Sequence, residues 1–360
     1  MSMPGCSRCR TGCRVARATR LLDRLGLFAV IFLFWTAFVS FADGFLSGVT
    51  IFGLSRGIAI TVVIGLAQMI VLSIGQMNLA IGAIGGMVGV ATGWLMQVVG
   101  LPVWLAVGVG LAIGAVTGWL NGWLVTRTGI NSFVVTLGMG SVVTGLVFIL
   151  TRAEAFRDLP RAYTQFGKVR LVEIGWFEIS PLFVVALAVT GAVALLYRGT
   201  VLGRRLLATG ANERAARLSG VPVDQVVRTA HALSGLLAGL AGIMLVSRLG
   251  SALPSVGEDW LLPSFAAPIV GGTLLSGGAV AVVGTLLGAV LIDSVSVGLT
   301  LLNVPSFWIQ LFVGLVLLLA VLLDRARTVA IAHGRAGAAG AMGPAAATGS
   351  AEAATPGAAR

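Results

Sequence analysis

Residues 101–126 have the sequence LPVWLAVGVGLAIGAVTGWLNGWLVT, an apolar run of 26 residues without a charged side chain. At about 1.5 Å per residue, a helix of this length crosses the hydrocarbon core of a bilayer. Glycines recur at every fourth position, on one face of that helix, and such a face lets helices approach closely in lipid. The run therefore predicts a tightly packed transmembrane helix. The glycines with this spacing are Gly110, Gly114, Gly118 and Gly122, and in a second run Gly85, Gly89 and Gly93.

The whole chain shares this character, with 57% apolar residues, 10% charged residues and a mean hydropathy of +1.01. A soluble globular fold does not have these proportions. The net charge of +11 lies mostly in tails and loops beside apolar runs, which indicates membrane insertion and no nucleic-acid partner. We expect an all-α polytopic membrane protein with about ten transmembrane helices. Their approximate limits are 25–42, 51–74, 79–99, 101–126, 133–151, 181–197, 229–247, 261–277, 279–302 and 306–323.

A polar loop at 198–228 interrupts these spans and carries six arginines. Asn212 suits a helix start, Glu213 and Arg217 lie four residues apart, and Gly220 and Pro222 suit a helix end. The spacing predicts a helix over 212–219 that is too short to be stable alone, so a partner is expected to hold it. The alternative is a solvated loop that only keeps the cytoplasmic side positive.

Charge bias places the first tail, the 198–228 loop and the last tail in the cytoplasm. We therefore predict a basic tail at 1–24, a membrane domain at 25–323 and a disordered Ala/Gly-rich tail at 324–360. The 152–180 loop is then a small extracytoplasmic cap, although it carries five basic residues. The 261–277 run is broken by prolines and glycines, so a re-entrant half-helix is the alternative there.

An internal repeat is visible when the chain is shifted by 174 residues, which aligns 109–140 with 283–314 without a gap. On the predicted topology the two copies have opposite orientations, as in the inverted repeats from which many transporters build alternating access. Chance similarity between glycine-rich helices is the alternative. The ten identical pairs are Val109/Val283, Gly110/Gly284, Gly114/Gly288, Ala115/Ala289, Val116/Val290, Thr126/Thr300, Ser132/Ser306, Phe133/Phe307, Leu137/Leu311 and Gly140/Gly314.

Polar groups inside apolar runs are the candidates for a substrate pathway, because each is costly in hydrocarbon unless it faces protein or water. The sequence around Gln76 and Asn78 suits an interrupted helix whose freed backbone groups line a cavity. Helix caps and interhelical hydrogen bonds are the alternative role. The other candidates, which recur in type in both repeat copies, are Asn131, Ser132, Phe133, Thr136, Phe307, Trp308 and Gln310. Asp293 is an acid within a predicted span, and Arg56 or Arg248 would pair with it if they reach its depth.

Enzyme chemistry finds little support in the sequence. Cys6, Cys9 and Cys13 lack a fourth ligand for a tetrahedral metal site. A serine protease would need a serine and a histidine brought together, but His231 lies near a predicted cytoplasmic end and His333 in the predicted disordered tail. Glu258 and Asp259 form an isolated acidic pair. No G-x-x-x-x-G-K-[ST] phosphate loop occurs, so ATP is not expected to bind here. An ion-driven secondary carrier remains the competing transport class.

Seven segments together resemble the ribose-type permeases of bacterial ABC sugar importers, in the right order over about residues 45–325. They are GQMNLAIGAIGG (75–86), GLPVWLAVGVGLAIGAVTGWLNGWLV (100–125), INSFVVTLGMGSVVTGL (130–146), GRRLLATGANERAARLSGV (203–221), IVGGTLLSGG (269–278), GTLLGAVL (284–291) and NVPSFWIQ (303–310). The resemblance implies the ABC importer permease fold, an inner-membrane location, and a homodimer. It also implies a separate cytoplasmic ATPase that binds ATP and Mg, a periplasmic or lipid-anchored binding protein, and no cofactor in this chain.

In that family the 212–219 helix would be the coupling helix that contacts the ATPase. We expect Asn212, Glu213, Arg214 and Arg217 to transmit force from the ATPase, and Arg204 and Arg205 to contact its surface. The family commonly has Gly-Gly-Ile-Asp-Leu-Ser where this chain has Gly75 to Ala80, so Asn78 replaces an acid. The sugar is therefore left open among ribose, xylose, arabinose, galactose and a quorum-signal sugar, and nucleoside or branched-chain amino acid transport remains the alternative.

Overall fold

A computed structural model describes residues 28–174, 177–305, 307, 308, 310–312, 314, 315, 318, 319 and 322. The predicted tails at 1–24 and 324–360 lie outside the described residues, as do the three cysteines. The chain divides into two units, Met1–Leu317 and Leu318–Arg360. The helices are α1 (Phe28–Phe41), α2 (Gly48–Leu72), α3 (Ile81–Gln97), α4 (Val103–Thr128), α5 (Ser132–Thr151), α6 (Arg161–Phe166), α7 (Pro181–Gly199), α8 (Val201–Ala211), α9 (Glu213–Leu218), α10 (Val223–Leu249), α11 (Leu261–Val270) and α12 (Val282–Leu301).

Almost all of the regular structure is helical, and six of the described helices are long and apolar enough to cross a membrane. This confirms the all-α polytopic class. The predicted count of about ten spans is not confirmed, because α1 and α3 are shorter apolar helices and α11 has only ten residues. Described residues between 307 and 322 are helical, within the last predicted span. The six long helices are α2, α4, α5, α7, α10 and α12.

Helices α2 and α10 form the centre of the described bundle. Helix α2 packs against α10, α11, α12 and α7, while α10 packs against α2, α3 and α4. The two central helices run antiparallel. Arg248, near the end of α10, approaches Gly57, near the start of α2. At the other end, His231, near the start of α10, bonds to Gln76, just beyond the end of α2. The bundle therefore has two ends, one near Arg248 and the other near the 198–228 loop.

The repeat extends beyond the segment in which sequence identity is visible. Shifting α2 by 174 residues gives 222–246, which matches α10, and shifting α3 gives 255–271, which covers α11. Shifting α4 gives 277–302, which covers α12. Since the paired elements α2 and α10 are antiparallel, the repeat is inverted. The contacts follow the same symmetry, because α10 packs on α3 and α4 as α2 packs on α11 and α12.

The segment between α10 and α12 runs from one end of the bundle to the other. It begins at Gly250 beside Arg248 and includes a 3-10 turn, Glu258–Trp260, followed by α11. The amide of Gly278 then donates to the carbonyl of Ser73 at 3.0 Å, and Gly278 packs against Ala211 of α8. The predicted 261–277 span is thus a half-helix that completes a crossing begun by irregular chain, and it does not return to the end from which it came.

The 152–180 segment covers the end of the bundle opposite α9, and we call it the cap. It contains α6 and an antiparallel hairpin of β1 (Val172–Ile174) and β2 (Phe177–Ile179), in which Glu173 pairs with Glu178 in backbone register. Two bonds hold it on α10: the Tyr163 hydroxyl donates to the Ile243 carbonyl, and the Ser247 hydroxyl donates to the Tyr163 carbonyl, both at 2.7 Å. Burial raises the pKa of Tyr163, which keeps that hydroxyl a donor.

The predicted glycine face of α4 lies directly on α10. A Cβ placed on Gly118 would overlap the carbonyl oxygen of His231, and one on Gly114 would lie 2.7 Å from the carbonyl oxygen of Gly235. Reciprocally, a Cβ on Gly235 would overlap the Gly114 carbonyl oxygen and lie 2.8 Å from the Gly118 Cα. Backbone thus contacts backbone along this interface, as close helix packing in lipid requires.

Gly235→Ala should therefore destabilise the permease by about 1–3 kcal/mol, since the added methyl group must push two backbones apart. Thermal unfolding in detergent, followed by fluorescence size-exclusion chromatography, measures this. The matched control is Gly108→Ala on α4, because a Cβ there has nothing within 4 Å. Equal midpoints for the two variants would contradict the packing argument.

Candidate functional site

The loop between α7 and α10 folds into two short helices, as its local signals predict. Thr200 caps α8 through a bond from the Gly203 amide at 3.1 Å. Asn212 ends α8 and begins α9, where its Oδ1 accepts from the Ala215 amide at 3.0 Å. The cap and the helix predicted over 212–219 are confirmed, with α9 ending one residue earlier at Leu218.

Arg217 connects α9 to the start of α10. Its guanidinium contacts the Glu213 carboxylate at 3.1 Å, the predicted pair, and the Asp224 carboxylate at 2.7 Å. Hydrogen bonds raise the pKa of Arg217, the bond to Asp224 more than the bond to Glu213, so the guanidinium stays charged. Each surface pair adds little stability, yet two together define the direction of the arginine. Sequence spacing missed Asp224, because it lies seven residues away across the turn at Gly220.

Helix α9 is anchored on one face only. Ala216 is buried, whereas Arg214 is exposed and Leu218 is 90% exposed. Arg204 and Arg205 are exposed on α8, whose Leu206 is fully buried. The loop therefore presents arginines and one large apolar side chain to its surroundings. Leu218 was absent from the predicted set, because nothing in the sequence separates an exposed leucine at a helix end from a buried one.

The predicted helix break at Gly75 to Ala80 lies between α2 and α3, and Gly75 has a φ of +72°. Hydroxyl groups of α5 satisfy its freed amides: Met77 donates to Ser132 Oγ at 3.2 Å and Leu79 donates to Thr136 Oγ1 at 3.0 Å. Unpaired amides at this position would be costly in lipid. Three predicted pathway residues therefore meet here, since Asn78 joins Ser132 and Thr136, and all three are buried.

Two side-chain amides of the break, those of Asn78 and Gln76, also bond to α10. Asn78 Nδ2 donates to Ser234 Oγ at 3.0 Å, while its Oδ1 accepts from the Ala80 amide at 3.0 Å. Gln76 Oε1 lies 3.0 Å from Nε2 of His231, which is fully buried. In this conformation these side chains bind protein groups, which is the capping and interhelical role left open by the sequence. His231 was considered only as a catalytic residue, and its pairing with Gln76 needs the antiparallel packing of α10.

The remaining predicted pathway residues lie on exposed surfaces. Asn131 caps α5, with Oδ1 accepting from the Phe133 amide at 2.9 Å, and Phe133 is 45% exposed. In the second repeat copy, Phe307, Trp308 and Gln310 are exposed, and the rings of Phe307 and Trp308 lie 6.4 Å apart. The predicted aromatic side chains are thus exposed, whereas Asn78 in the break is buried.

Asp293 approaches Arg248 without a close ion pair. A Cβ on Gly57 would lie 3.1 Å from Asp293 Oδ1 and 4.0 Å from an Arg248 Nη1, so both groups surround this glycine. Within the described residues, neither arginine comes within 4.0 Å of the Asp293 carboxylate. Arg56 instead donates to the cap carbonyl of Gly167 at 3.4 Å, with its guanidinium 4.5 Å from the centre of the Phe52 ring.

An open groove of about 520 Å³ lies beside the cap, between the end of α5 and the chain that follows α10. A narrow cleft between α3 and α5 shares Pro254 with it. Across the described part of the chain, no cluster of three His, Cys, Asp or Glu side chains is suited to hold a metal ion. The groove is lined by Phe148, Ala153, Glu154, Ala155, Arg157, Leu253, Pro254 and Ser255.

Comparison with known proteins identifies relatives over nearly the whole chain. The chain is 36% identical to the ribose import permease protein RbsC of Bacillus subtilis over 311 residues, which cover 86% of this chain and 94% of that protein. It is 33% identical to the L-arabinose ABC transporter permease protein AraH of Azospirillum brasilense, covering 86% and 89% of the two chains. It is 30% identical to the xylose transport system permease protein XylH of Escherichia coli K12, covering 82% and 89%.

No solved structure matches the chain significantly. A family model described as branched-chain amino acid transport system / permease component matches residues 49–322. That range includes α2 to α12, the groove and the 198–228 loop. The chain therefore belongs to this permease family of bacterial ABC importers, and it is an inner-membrane transport subunit and not an enzyme.

Proposed function

We propose that this chain forms the translocation pathway of an ATP-driven importer for a monosaccharide of the ribose, arabinose and xylose class. The observation that carries the proposal is the 36% identity to a ribose import permease along 94% of that protein's length. Relatives named for arabinose and xylose support the broader class. Transport of a branched-chain amino acid is the second candidate, favoured by the description of the family model.

The partners follow from what this chain lacks and what it exposes. Its sequence has no phosphate loop, so a separate cytoplasmic ATPase hydrolyses ATP with Mg. The exposed arginines of α8 and α9 contact that ATPase. A periplasmic or lipid-anchored binding protein delivers the solute to the cap and to the start of the 248–260 segment, beside the groove. A second copy of this chain completes the pathway, as the closed symmetry of most oligomers favours.

Helix α10 is the element that connects the two docking faces. It has 27 residues, about 40 Å in length, with Arg217 bonded to Asp224 at one end and the cap bonded to Ile243 and Ser247 at the other. A movement of α9 imposed by the ATPase is therefore transmitted to the cap through one continuous helix. The two inverted halves then exchange inward and outward access around the central helices.

Uptake by the reconstituted complex tests the proposed function. The permease, its ATPase and its binding protein are placed in proteoliposomes and offered radiolabelled ribose, arabinose, xylose, galactose and leucine. We expect ATP-dependent uptake of at least one sugar and none of leucine. Uptake of leucine alone would establish the second candidate, and sugar uptake driven by a proton gradient without the ATPase would establish a secondary carrier.

Reversing the charges of Glu213 and Arg217 on α9 should strongly lower ATP-dependent uptake without affecting insertion. The double change Glu213→Arg with Arg217→Glu keeps a pair within the helix but sets a carboxylate against Asp224. Adding Asp224→Arg restores both internal pairs in reversed form, so only the surface offered to the ATPase differs. We expect uptake by this triple variant to fall at least tenfold. Wild-type uptake would refute docking through α9.

The control for that experiment is Asp224→Asn, which removes one internal ion pair and leaves the outward-facing charges of α9 unchanged. A surface pair contributes about 0–1 kcal/mol, so this variant should retain most of its uptake. Insertion is checked by expression and by protease protection of the cap. Equal losses in the control and the triple variant would indicate that the internal pair, and not the docking surface, carries the effect.

Leu218→Ala should weaken binding to the ATPase about tenfold or more, because burying a leucine side chain contributes about 1.5–3 kcal/mol. Affinity is measured with the permease in nanodiscs and the ATPase in solution. Val201→Ala, at the start of α8, is the matched control, since Val201 is 53% exposed against 90% for Leu218. Unchanged affinity for Leu218→Ala would exclude the leucine as an anchor.

A further inference from the structure

Contacts along helix α3 show how deep in the bundle the chain that follows α10 lies. At the cap end, Gln97 Oε1 accepts from the amide of Asp158 in the cap at 3.2 Å. Two further contacts lie along α3, eleven residues apart. A Cβ placed on Gly93 would contact the side chain of Ala252, and a Cβ placed on Gly82 would overlap the carbonyl oxygen of Gly257. From Gln97 to Gly82, the helix descends about 22 Å. Gly257 therefore lies deep in the bundle, well below the cap.

Glu258 and Asp259 follow at this depth, and both side chains are exposed. Their neighbour Trp260 points the other way and is buried, with its ring filling the space at Gly85. A carboxylate at such depth is too costly to face lipid, so it faces water or another protein surface. The sequence predicted these acids only as an isolated pair in a loop, because their depth depends on how the irregular chain follows α3.

Glu258 lines the narrow cleft that lies beside the groove. Its walls are small or apolar, apart from Thr144 of α5 and the Glu258 carboxylate, and Gly82 and Gly86 provide one wall without side chains. The wider groove above it opens beside the cap. The groove beside the proposed docking face of the binding protein therefore adjoins, at Pro254, a narrow cleft of about 30 Å³ that Glu258 lines.

We propose that Glu258 is a solute-binding residue of the translocation pathway and accepts hydrogen bonds from the hydroxyl groups of a neutral sugar in transit. This inference rests on the proposed function and names the group that contacts the solute. A carboxylate has two acceptor oxygens and forms stronger bonds to hydroxyls than neutral acceptors do. In the break between α2 and α3, the side-chain amides of Asn78 and Gln76 bond to Ser234 and His231, and therefore to protein groups.

Uptake by the complete reconstituted transporter tests the proposal, using whichever of ribose, arabinose and xylose the wild type transports. Glu258→Ala should lower kcat/KM for uptake about tenfold or more, the effect of losing a hydrogen bond to a charged group. Glu258→Gln keeps one acceptor oxygen and should lose less. Asp43→Ala is the matched control, since Asp43 is an exposed acid in the turn between α1 and α2. Equal kcat/KM for Glu258→Ala and Asp43→Ala would overturn the proposal.

Deoxy analogues of the transported sugar separate solute contact from a structural effect. If Glu258 contacts a hydroxyl, Glu258→Ala should transport the analogue that lacks this hydroxyl as well as the wild type does, while losing the parent sugar. The same binding protein serves the wild type and Glu258→Ala, so its own preference among the sugars cancels when the two permeases are compared. An equal loss for the parent sugar and for every deoxy analogue would show a structural role and overturn the proposal.

Labelling gives a readout that does not need transport. With Cys6, Cys9 and Cys13 replaced by serine, Glu258→Cys in the assembled complex should react with a small hydrophilic thiosulfonate and be protected by the sugar. Glu154→Cys in the groove is the positive control. No reaction at position 258 while position 154 reacts would overturn the proposal. Failure of the wild type to transport any sugar would instead refute the proposed function. In that case, labelling of position 258 that the sugar does not reduce would also oppose a sugar contact at this position.

Discussion

The bundle depends on satisfying backbone groups where the chain is not helical within the membrane domain. The break after α2 frees the amides of Met77, Leu79 and Ala80, and each finds a side-chain oxygen on Ser132, Thr136 or Asn78. Water is absent from hydrocarbon, so these bonds are a condition for having a break at all. They fix α5 against the start of α3, and other residues of these two helices line the cleft at Glu258.

The second constraint is the close approach of the antiparallel central helices to their neighbours. Backbone contacts at Gly114, Gly118 and Gly235 bring α4 onto α10 without intervening side chains. Helix α10 is thereby held along most of its length, while α9 at its start is attached by Ala216 and by the Arg217 bonds. A rigid helix with a lightly attached end suits the transfer of movement from a cytoplasmic partner.

Sequence reasoning predicted the features that depend on neighbouring residues. The Asn212 cap, the pair of Glu213 with Arg217 and the glycine face of α4 are all set by spacings of three or four residues, and all are present. Features that join distant segments were missed, such as the bond of Gln76 to His231 and the depth of Glu258. The span count was not confirmed, because hydropathy does not separate the six long helices from shorter apolar helices such as α1, α3 and α11.

The antiparallel relation of α2 and α10 also has a consequence for how such a protein arises. The two halves share one architecture but enter the bilayer with opposite polarity, so a single ancestral gene encoding one half would have had to insert in both directions to build this assembly. Fusion then allows each half to acquire its own charge bias, and the arginines between α7 and α10 now commit the second half to one orientation.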